Sequence, residues 1–268
     1  MNNRNDSTSQ EMSFWGHLDV LRGVLFRIVA VTLVIAIGLF IAMHWIFDNI
    51  ILAPCDGNFP LYLFFDYISS LTTEEPTSTP FKVTLINIKL ASQFFIHIST
   101  SCWLAITVAF PFIIYQLWTF ISPALYENEK RGIKTAFFFG NIMFYLGVAV
   151  GYFLVFPLTL RFLADYQLSE AIPNTISLDS YMDNFFIITF MMGVAFELPL
   201  LAWLLGKMGF LSRDFFSKYR RHAIVVLLIL AAMITPTGDP FTLSAVFFPI
   251  YFLWELSSRL VPKKHLTE

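Results

Sequence analysis

The sequence predicts an all-α integral membrane protein with six transmembrane helices, both termini in the cytoplasm and short last two spans. Of its 268 residues, 57% are hydrophobic and only 13% are charged, whereas an average soluble domain has about 25% charged residues. Long apolar runs recur along the chain, and lysine and arginine cluster in alternate loops between them. These features favour a membrane-embedded bundle over a large soluble core.

Six runs with few or no charges are the predicted spans. The first four hold 19 to 28 residues, which at about 1.5 Å per residue is enough to cross a hydrocarbon core of about 30 Å. The last two hold 12 and 16 residues and flank the turn TPTGDP, so they predict a short helical hairpin that thins the bilayer. In chain order the predicted spans are 28–46, 94–121, 135–160, 184–206, 223–234 and 241–256.

The positive charges predict how these spans are oriented. Fourteen of the 17 lysines and arginines fall in the two termini and in the second and fourth loops. Since positively charged loops stay in the cytoplasm, both termini are expected inside. We predict one membrane domain over 1–268, with its parts as follows: a cytoplasmic N-terminus 1–24, six spans within 25–256, outer loops 48–92 and 161–183, and a cytoplasmic tail 257–268.

Two further helices are predicted beside the spans. Near the N-terminus Phe14, Leu18, Leu21 and Leu25 are spaced four, three and four residues apart, with Ser13 as the N-cap. This spacing predicts an amphipathic helix on the inner surface. In the first outer loop, the aromatic stretch LYLFFDYISSL predicts an interfacial or loop-packing helix.

The motifs of common enzymes are missing from the sequence. It has no HExxH zinc pair, no GxSxG elbow and no glycine-rich phosphate loop. Cys55 and Cys102 lack metal or redox spacing. We therefore predict no catalytic residue, metal or cofactor, and partners that do not include nucleic acid. The histidines are interpreted as packing or interfacial residues, the four on separate elements being His17, His44, His97 and His222.

Glu197 is the ionisable residue placed deepest in a predicted span, within MMGVAFELPLLAWLL. Such a carboxylate is costly in lipid and marks a functional site by default, although a hydrogen-bonded glutamate that fixes helix packing would also satisfy the pattern. Pro199 removes a backbone donor two residues later and predicts a bend. A carboxyl group beside a bend favours a concave face that a substrate or proton could reach.

The loop YQLWTFISPALYENEKRG is predicted to lie on the cytoplasmic side. Pro123 ends the second span, and Glu127 and Glu129 sit beside Lys130 and Arg131. One interpretation is a solvated turn with local ion pairs worth about 0–1 kcal/mol, which the residues alone favour. The other is an acidic point that receives a basic partner.

Four stretches, in this order on the six spans, resemble the TatC family, the six-span component of the twin-arginine protein translocase. They are FWGHLDVLR, YQLWTFISPALYENEKR, GVAFELP and TPTGDP, and the resemblance covers roughly residues 14–260. It implies a concave, glove-like bundle in the bacterial inner membrane, surrounded by the lipid bilayer. It also implies a receptor for the twin-arginine signal peptides of folded cargo, in a homo-oligomer within a larger complex that includes single-span TatA- and TatB-type subunits and uses the protonmotive force.

The resemblance also implies roles for particular residues. Glu129 matches the family's glutamate that receives the arginine pair, which suits a carboxylate because it binds a guanidinium through two parallel hydrogen bonds. Phe120 and Pro123 match residues that shape the same loop. Glu197 matches a polar residue facing the concave interior, and Asp239 matches an acidic residue in the outer turn.

This chain departs from the family in its first helix. The family pattern His-Leu-x-Glu-Leu-Arg reads HLDVLR here, so Val20 stands where a second carboxylate is expected. Asp19 points about 100° away on a helix, and it and Glu127 are the candidates to replace that carboxylate.

Two other functions remain open on the residues alone. An ion-coupled secondary transporter would use Glu197 as a relay, although paired broken helices from an inverted repeat are not evident in the sequence. A structural scaffold would use Glu197 only for packing.

Overall fold

The computed structural model describes most of the chain. The described residues are 14–72, 81–121, 127–169, 174–207, 209–235 and 238–261, and for residues 14–17, 72, 121 and 127–136 the description is limited to the backbone. Helix dominates these segments.

The α-helices of the described segments follow one another with short connections. They are α1 (Phe14–Ile46), α2 (Pro60–Thr72), α3 (Ser92–Ile121), α4 (Glu127–Val150), α5 (Phe156–Asp165), α6 (Leu178–Ala195), α7 (Leu198–Lys207), α8 (Arg213–Lys218), α9 (Arg220–Ile234) and α10 (Pro240–Leu260). Phe47–Ile51 and Gly151–Val155 are π-helical, and Ala53–Cys55 is a 3₁₀ turn. A two-residue parallel pairing joins β1 (Leu85–Ile86) to β2 (Ile176–Ser177).

Five helical segments of the described chain are long and apolar enough to cross a membrane, which confirms the predicted multi-pass helical membrane fold. They are Leu18–Cys55, Ser92–Phe120, Phe137–Asp165, Leu178–Lys207 and Pro240–Leu260. The remaining predicted span, the fifth at 223–234, corresponds to α9, whose 15 residues measure about 22 Å. It is as short as predicted, and the count of six spans stays a prediction.

The last helix is longer than predicted. The uncharged run 241–256 has 16 residues, whereas α10 has 21, about 31 Å. The prediction of a short last span was wrong because α10 continues past Glu255 to Leu260 and carries its charged residues in its C-terminal part. Among the last two helices, only α9 is short.

The N-terminal region is also simpler than predicted. α1 runs without a break for 33 residues, so the amphipathic segment and the first span form one helix. It packs mainly against α3. Val24 and Met43 are buried, whereas Phe26 and Ile41 on other faces are 75% and 78% exposed, as expected for side chains that face lipid.

The predicted bend in the fourth span is confirmed. The helix is interrupted by a turn at Phe196–Glu197 and resumes as α7. Pro199 stands in the first turn of α7, where it has no N–H to bond Ala195 across the turn. Within the turn, the Glu197 amide donates a 3.1 Å hydrogen bond to the Val194 carbonyl oxygen. The interruption therefore does not leave the Glu197 amide without an acceptor.

α4 and α6 pack closely because glycines line their contact. A Cβ atom placed on Gly147 would lie 2.5 Å from the Met192 carbonyl oxygen, and one on Gly193 would lie 2.8 Å from the Phe144 ring. Phe144 and Met192 are fully buried. This contact holds α6 in the main hydrophobic cluster and fixes the position of the turn that follows it.

A cap that contains α2 closes one end of the bundle, and the predicted loop helix is confirmed there as α2. The buried Tyr62 hydroxyl lies 3.0 Å from the Pro54 carbonyl oxygen and 3.2 Å from that of Pro157, and it can donate to one of them at a time. Burial raises the pKa of Tyr62. The Arg161 guanidinium lies 5.4 Å from the Tyr62 ring and 5.8 Å from the Phe81 ring, which fastens the cap to α5.

Candidate functional site

The interrupted fourth span places Glu197 against α4. A Cβ atom on Gly140 would lie 3.1 Å from Glu197 Oε2 and 2.6 Å from Leu200, so the missing side chain of Gly140 leaves room for the carboxyl group. Oε1 of Glu197 is buried, and no residue in the described part of the chain lies within hydrogen-bond distance of it. A buried carboxyl oxygen without a donor costs free energy, so a donor brought by another molecule would be favoured here.

The first and second long helices run antiparallel, and two contacts set their alignment. Near one end Arg27 Nη1 donates to Gln116 Oε1 at 3.2 Å. Near the other end His97 Nε2 lies 2.9 Å from the Phe40 carbonyl oxygen. Gln116 is only 6% exposed, so the Arg27 contact satisfies an amide that would otherwise be buried without a partner.

This alignment relates Asp19 to the end of the second long helix. Asp19 precedes Arg27 by eight residues, about 12 Å along α1, and α3 continues past Gln116 to its end at Ile121. Because the two helices run antiparallel, the exposed stretch of α1 that carries Asp19 and Val20 extends from Arg27 in the direction in which α3 ends.

The predicted site residues on that connection are located in part. Phe120 is half-buried at the end of α3, and Pro123 lies outside the described residues. Glu127 and Glu129 were predicted in a loop, whereas the structure has them in the first turn of α4. A helix N-terminus carries a partial positive charge that favours carboxylates there. Their side chains are outside the described part.

Asp239 has a structural role that sequence reasoning missed. Its carboxylate accepts a 2.7 Å hydrogen bond from the Thr242 amide and caps the N-terminus of α10. Pro240 follows at the first helical position, where proline is well tolerated. The signal was available, because an aspartate directly before a helix-starting proline is typical of an N-cap.

A charged contact between the last two helices was also missed. Arg220 Nη2 lies 2.7 Å from Glu255 Oε2, and the Tyr251 hydroxyl lies 3.1 Å from Glu255 Oε1. The pair joins α9 to α10. The available signal was Glu255 itself, since a carboxylate within an apolar run needs a partner.

Two of the histidines meet although they are far apart in sequence. The rings of His44 and His97 are 6.0 Å apart, and both line a cleft of about 590 Å³ beside Asp48 and Gln93. Among the residues that the structure describes, no three histidine, cysteine or acidic side chains are grouped so as to hold a metal ion.

Comparisons with known proteins identify relatives of the chain. The family model described as Sec-independent protein translocase protein (TatC) matches residues 16–249. A Sec-independent protein translocase protein TatC from Blattabacterium sp. subsp. Periplaneta americana is 31% identical over 250 residues, covering 92% of this chain and 94% of that protein. One from Helicobacter pylori (strain J99) is 39% identical over 179 residues, 66% of this chain and 70% of that protein. A solved structure described as the twin arginine translocase receptor TatC in DDM superposes with a TM-score of 0.73 and 28% identity, covering 91% of this chain and 99% of the other.

Proposed function

This chain belongs to the TatC family of Sec-independent protein translocase proteins, a family of membrane translocase components rather than of enzymes, and we propose that it is the signal-peptide receptor of a twin-arginine translocase. In this proposal it recognises two adjacent arginines in the signal peptide of a folded cargo protein. The cargo then crosses the bacterial inner membrane with the protonmotive force as the energy source.

The alignment of α1 with α3 is the observation that best supports the location of the peptide site. Arg27 and Gln116 hold the two antiparallel helices so that the stretch of α1 with Asp19 extends in the direction in which α3 ends at Ile121. Glu127 and Glu129 stand in the first turn of α4, the next helix along the chain. In this proposal a peptide bound at this end of the helices meets carboxylates from α1 and α4, one for each arginine.

Glu129 is proposed to receive one guanidinium, and Asp19 or Glu127 the other. The guanidinium is planar and donates two parallel hydrogen bonds to a carboxylate, whereas an ammonium acts as a point charge. This difference would let the receptor distinguish arginine from lysine at equal charge.

Glu197 is proposed as a second polar contact, deeper in the membrane. Its Oε1 is buried without a donor from any described residue, and the turn at Phe196–Glu197 opens the helix beside it. The apolar part of a signal peptide, or a single-span subunit of the TatA or TatB type, could bring the missing donor. Both termini are proposed to be cytoplasmic, on the side of the peptide site.

Peptide affinity measured with the detergent-purified full-length protein tests the proposal. A signal peptide with Arg-Arg should bind at least about tenfold more tightly than the same peptide with Lys-Lys, since one lost hydrogen bond to a charged group costs about 1.5–3 kcal/mol. Glu129→Gln should remove a similar factor. Val20→Glu, at a position 38% exposed, should tighten binding by supplying the family's missing carboxylate.

Asp214→Asn is the matched control, because Asp214 is exposed on α8 and its loss changes the charge equally. Equal affinity for the two peptides, or equal losses in Glu129→Gln and Asp214→Asn, would contradict the proposed site. In that case uptake of a small solute coupled to Glu197 would become the function to test.

A further inference from the structure

A basic and aromatic surface, not used by the proposed peptide site, lies between α7 and α9. We call it the α8 surface and define it by Lys207, Phe210, Arg213, Phe215, Lys218 and Arg221. All six side chains are exposed, and Phe210 is 73% exposed. The surface lies on the side that the charge distribution assigns to the cytoplasm.

The α8 surface is held firmly on the bundle. Phe216, on the opposite face of α8, is 3% exposed and its ring lies 4.7 Å from the Trp254 ring of α10. Phe216 also belongs to a small buried cluster with Ala202 and Val261. α8 therefore lies across the inner ends of α7 and α10 with a fixed outward face.

Within the described segments, no ion pair neutralises the four cations of this surface. Asp214 is the single acidic residue between Lys207 and Arg221. The nearby Glu255 is engaged by Arg220 at 2.7 Å, which leaves the four cations of the α8 surface facing outward. The two lysines of the surface lie over aromatic rings: Lys207 Nζ is 5.2 Å from the Trp203 ring and Lys218 Nζ is 5.7 Å from the Tyr219 ring.

We propose that the α8 surface binds the headgroups of anionic phospholipids in the inner leaflet. Clusters of lysine and arginine directly beside a transmembrane helix attract negatively charged lipid. Exposed phenylalanines among the cations are typical of segments that lie in the membrane interface. An acidic protein would match the charge but not the exposed Phe210 and Phe215, which are placed at the ends of membrane helices.

Lipid at this place would set the level of the bilayer beside the short helix α9. α9 begins two residues after α8 ends, and its 15 residues are shorter than a hydrocarbon core of about 30 Å requires. Headgroups held at the α8 surface would stabilise the locally thin bilayer around α9.

Lipid titration of the full-length protein, followed by native mass spectrometry, tests the proposal. Phosphatidylglycerol and phosphatidylcholine with identical acyl chains are the two probes. Phosphatidylglycerol is expected to bind more tightly, and the double variant Arg213→Gln/Lys218→Gln to lose about 30-fold of that affinity, roughly fivefold for each cation. Phosphatidylcholine binding should not change.

Lys82→Gln/Lys89→Gln is the matched control, because it removes two exposed cations of the outer cap and should retain phosphatidylglycerol affinity. The charge-conserving swap Arg213→Lys/Lys218→Arg should retain it as well. Signal-peptide affinity of every variant should stay at the wild-type value, which separates this proposal from the function proposed above.

Three results would overturn the lipid site. Equal affinity of the wild-type protein for the two lipids would remove the role of charge. Equal losses in the two double glutamine variants would remove the role of position. Soluble polyglutamate and free phosphatidylglycerol can each be added to compete for the surface. If polyglutamate displaced bound phosphatidylglycerol at the lower concentration, the surface would be a site for an acidic protein.

Discussion

Glu197 and Glu255 are both carboxylates in apolar stretches, yet their surroundings differ. Glu255 has Arg220 and Tyr251 as partners, so its charge is used to join two helices. Glu197 has a buried oxygen without a donor among the described residues. A residue that stabilises the fold is usually satisfied within it, so Glu197 is the better candidate for contact with another molecule.

Replacing Glu197 tests this difference at the level of one residue. Glu197→Gln keeps the shape and removes the charge, and we expect export of a twin-arginine cargo to fall about tenfold or more, as for loss of one hydrogen bond to a charged group. Protein abundance should not fall. The measurement is the export rate in cells, normalised to the amount of this protein in the membrane.

Glu255→Gln serves as the control, because it weakens a partly exposed ion pair worth about 0–1 kcal/mol and should leave export unchanged. Wild-type export by Glu197→Gln would favour a packing role for Glu197 and support the scaffold interpretation.

At the scale of elements, the close packing of α4 on α6 positions the carboxylate. Gly147 and Gly193 let the two helices approach just before the turn at Phe196–Glu197. Gly140 on α4 then leaves space for the Glu197 carboxyl group. Small residues at such contacts let helix backbones approach in a membrane, where lipid-facing apolar area supplies little drive for helix association.

Two separate glycine-to-alanine variants, one at this contact and one away from it, test how much the close approach contributes to stability. Gly147→Ala puts a Cβ atom 2.5 Å from the Met192 carbonyl, so α4 and α6 must separate, and we expect a loss of about 1–3 kcal/mol. Gly38→Ala meets nothing within 4 Å and should be neutral or slightly stabilising, since alanine favours helix.

Thermal unfolding of the two variants in one detergent gives the comparison. A melting temperature of Gly147→Ala equal to that of Gly38→Ala would mean that the close approach is not needed.

At the scale of the whole molecule, orientation determines which proposals can hold together. In the proposed orientation, the peptide site, the α8 surface and the C-terminal end of α10 face the cytoplasm, while the α2 cap and the cleft lined by His44 and His97 face the other side. The charge distribution supports this arrangement, because 14 of 17 lysines and arginines fall in the two termini and in the second and fourth predicted loops.

Cysteine labelling tests the orientation. In a background without Cys55 and Cys102, Leu168→Cys, at a position 88% exposed in the outer loop, should react with an impermeant maleimide added outside an intact inner membrane. Ser217→Cys, exposed on α8, should react only after lysis. The reverse pattern would invert the topology and place the peptide site on the wrong side for a receptor.

Much of the fold could be predicted from the sequence because the signals are local. Apolar runs identify the spans and Pro199 identifies the bend, and the structure agrees with both. The prediction of a short sixth span was wrong because the uncharged run 241–256 ends before the helix α10 does. A charge ends an apolar run, but it does not end a helix, since Glu255 is satisfied by Arg220 from another element.

The sequence by itself therefore determined the class of the protein, the positions of the five long apolar segments and the residue types at the proposed site, because hydrophobicity, helix-breaking residues and charge act within a few positions. The tertiary structure decided which of those residues meet. Arg27 and Gln116 are 89 positions apart, and Arg220 and Glu255 are 35 apart. Such pairs depend on how helices align and cross, and this alignment results from side-chain packing along their whole length rather than from any short stretch of sequence.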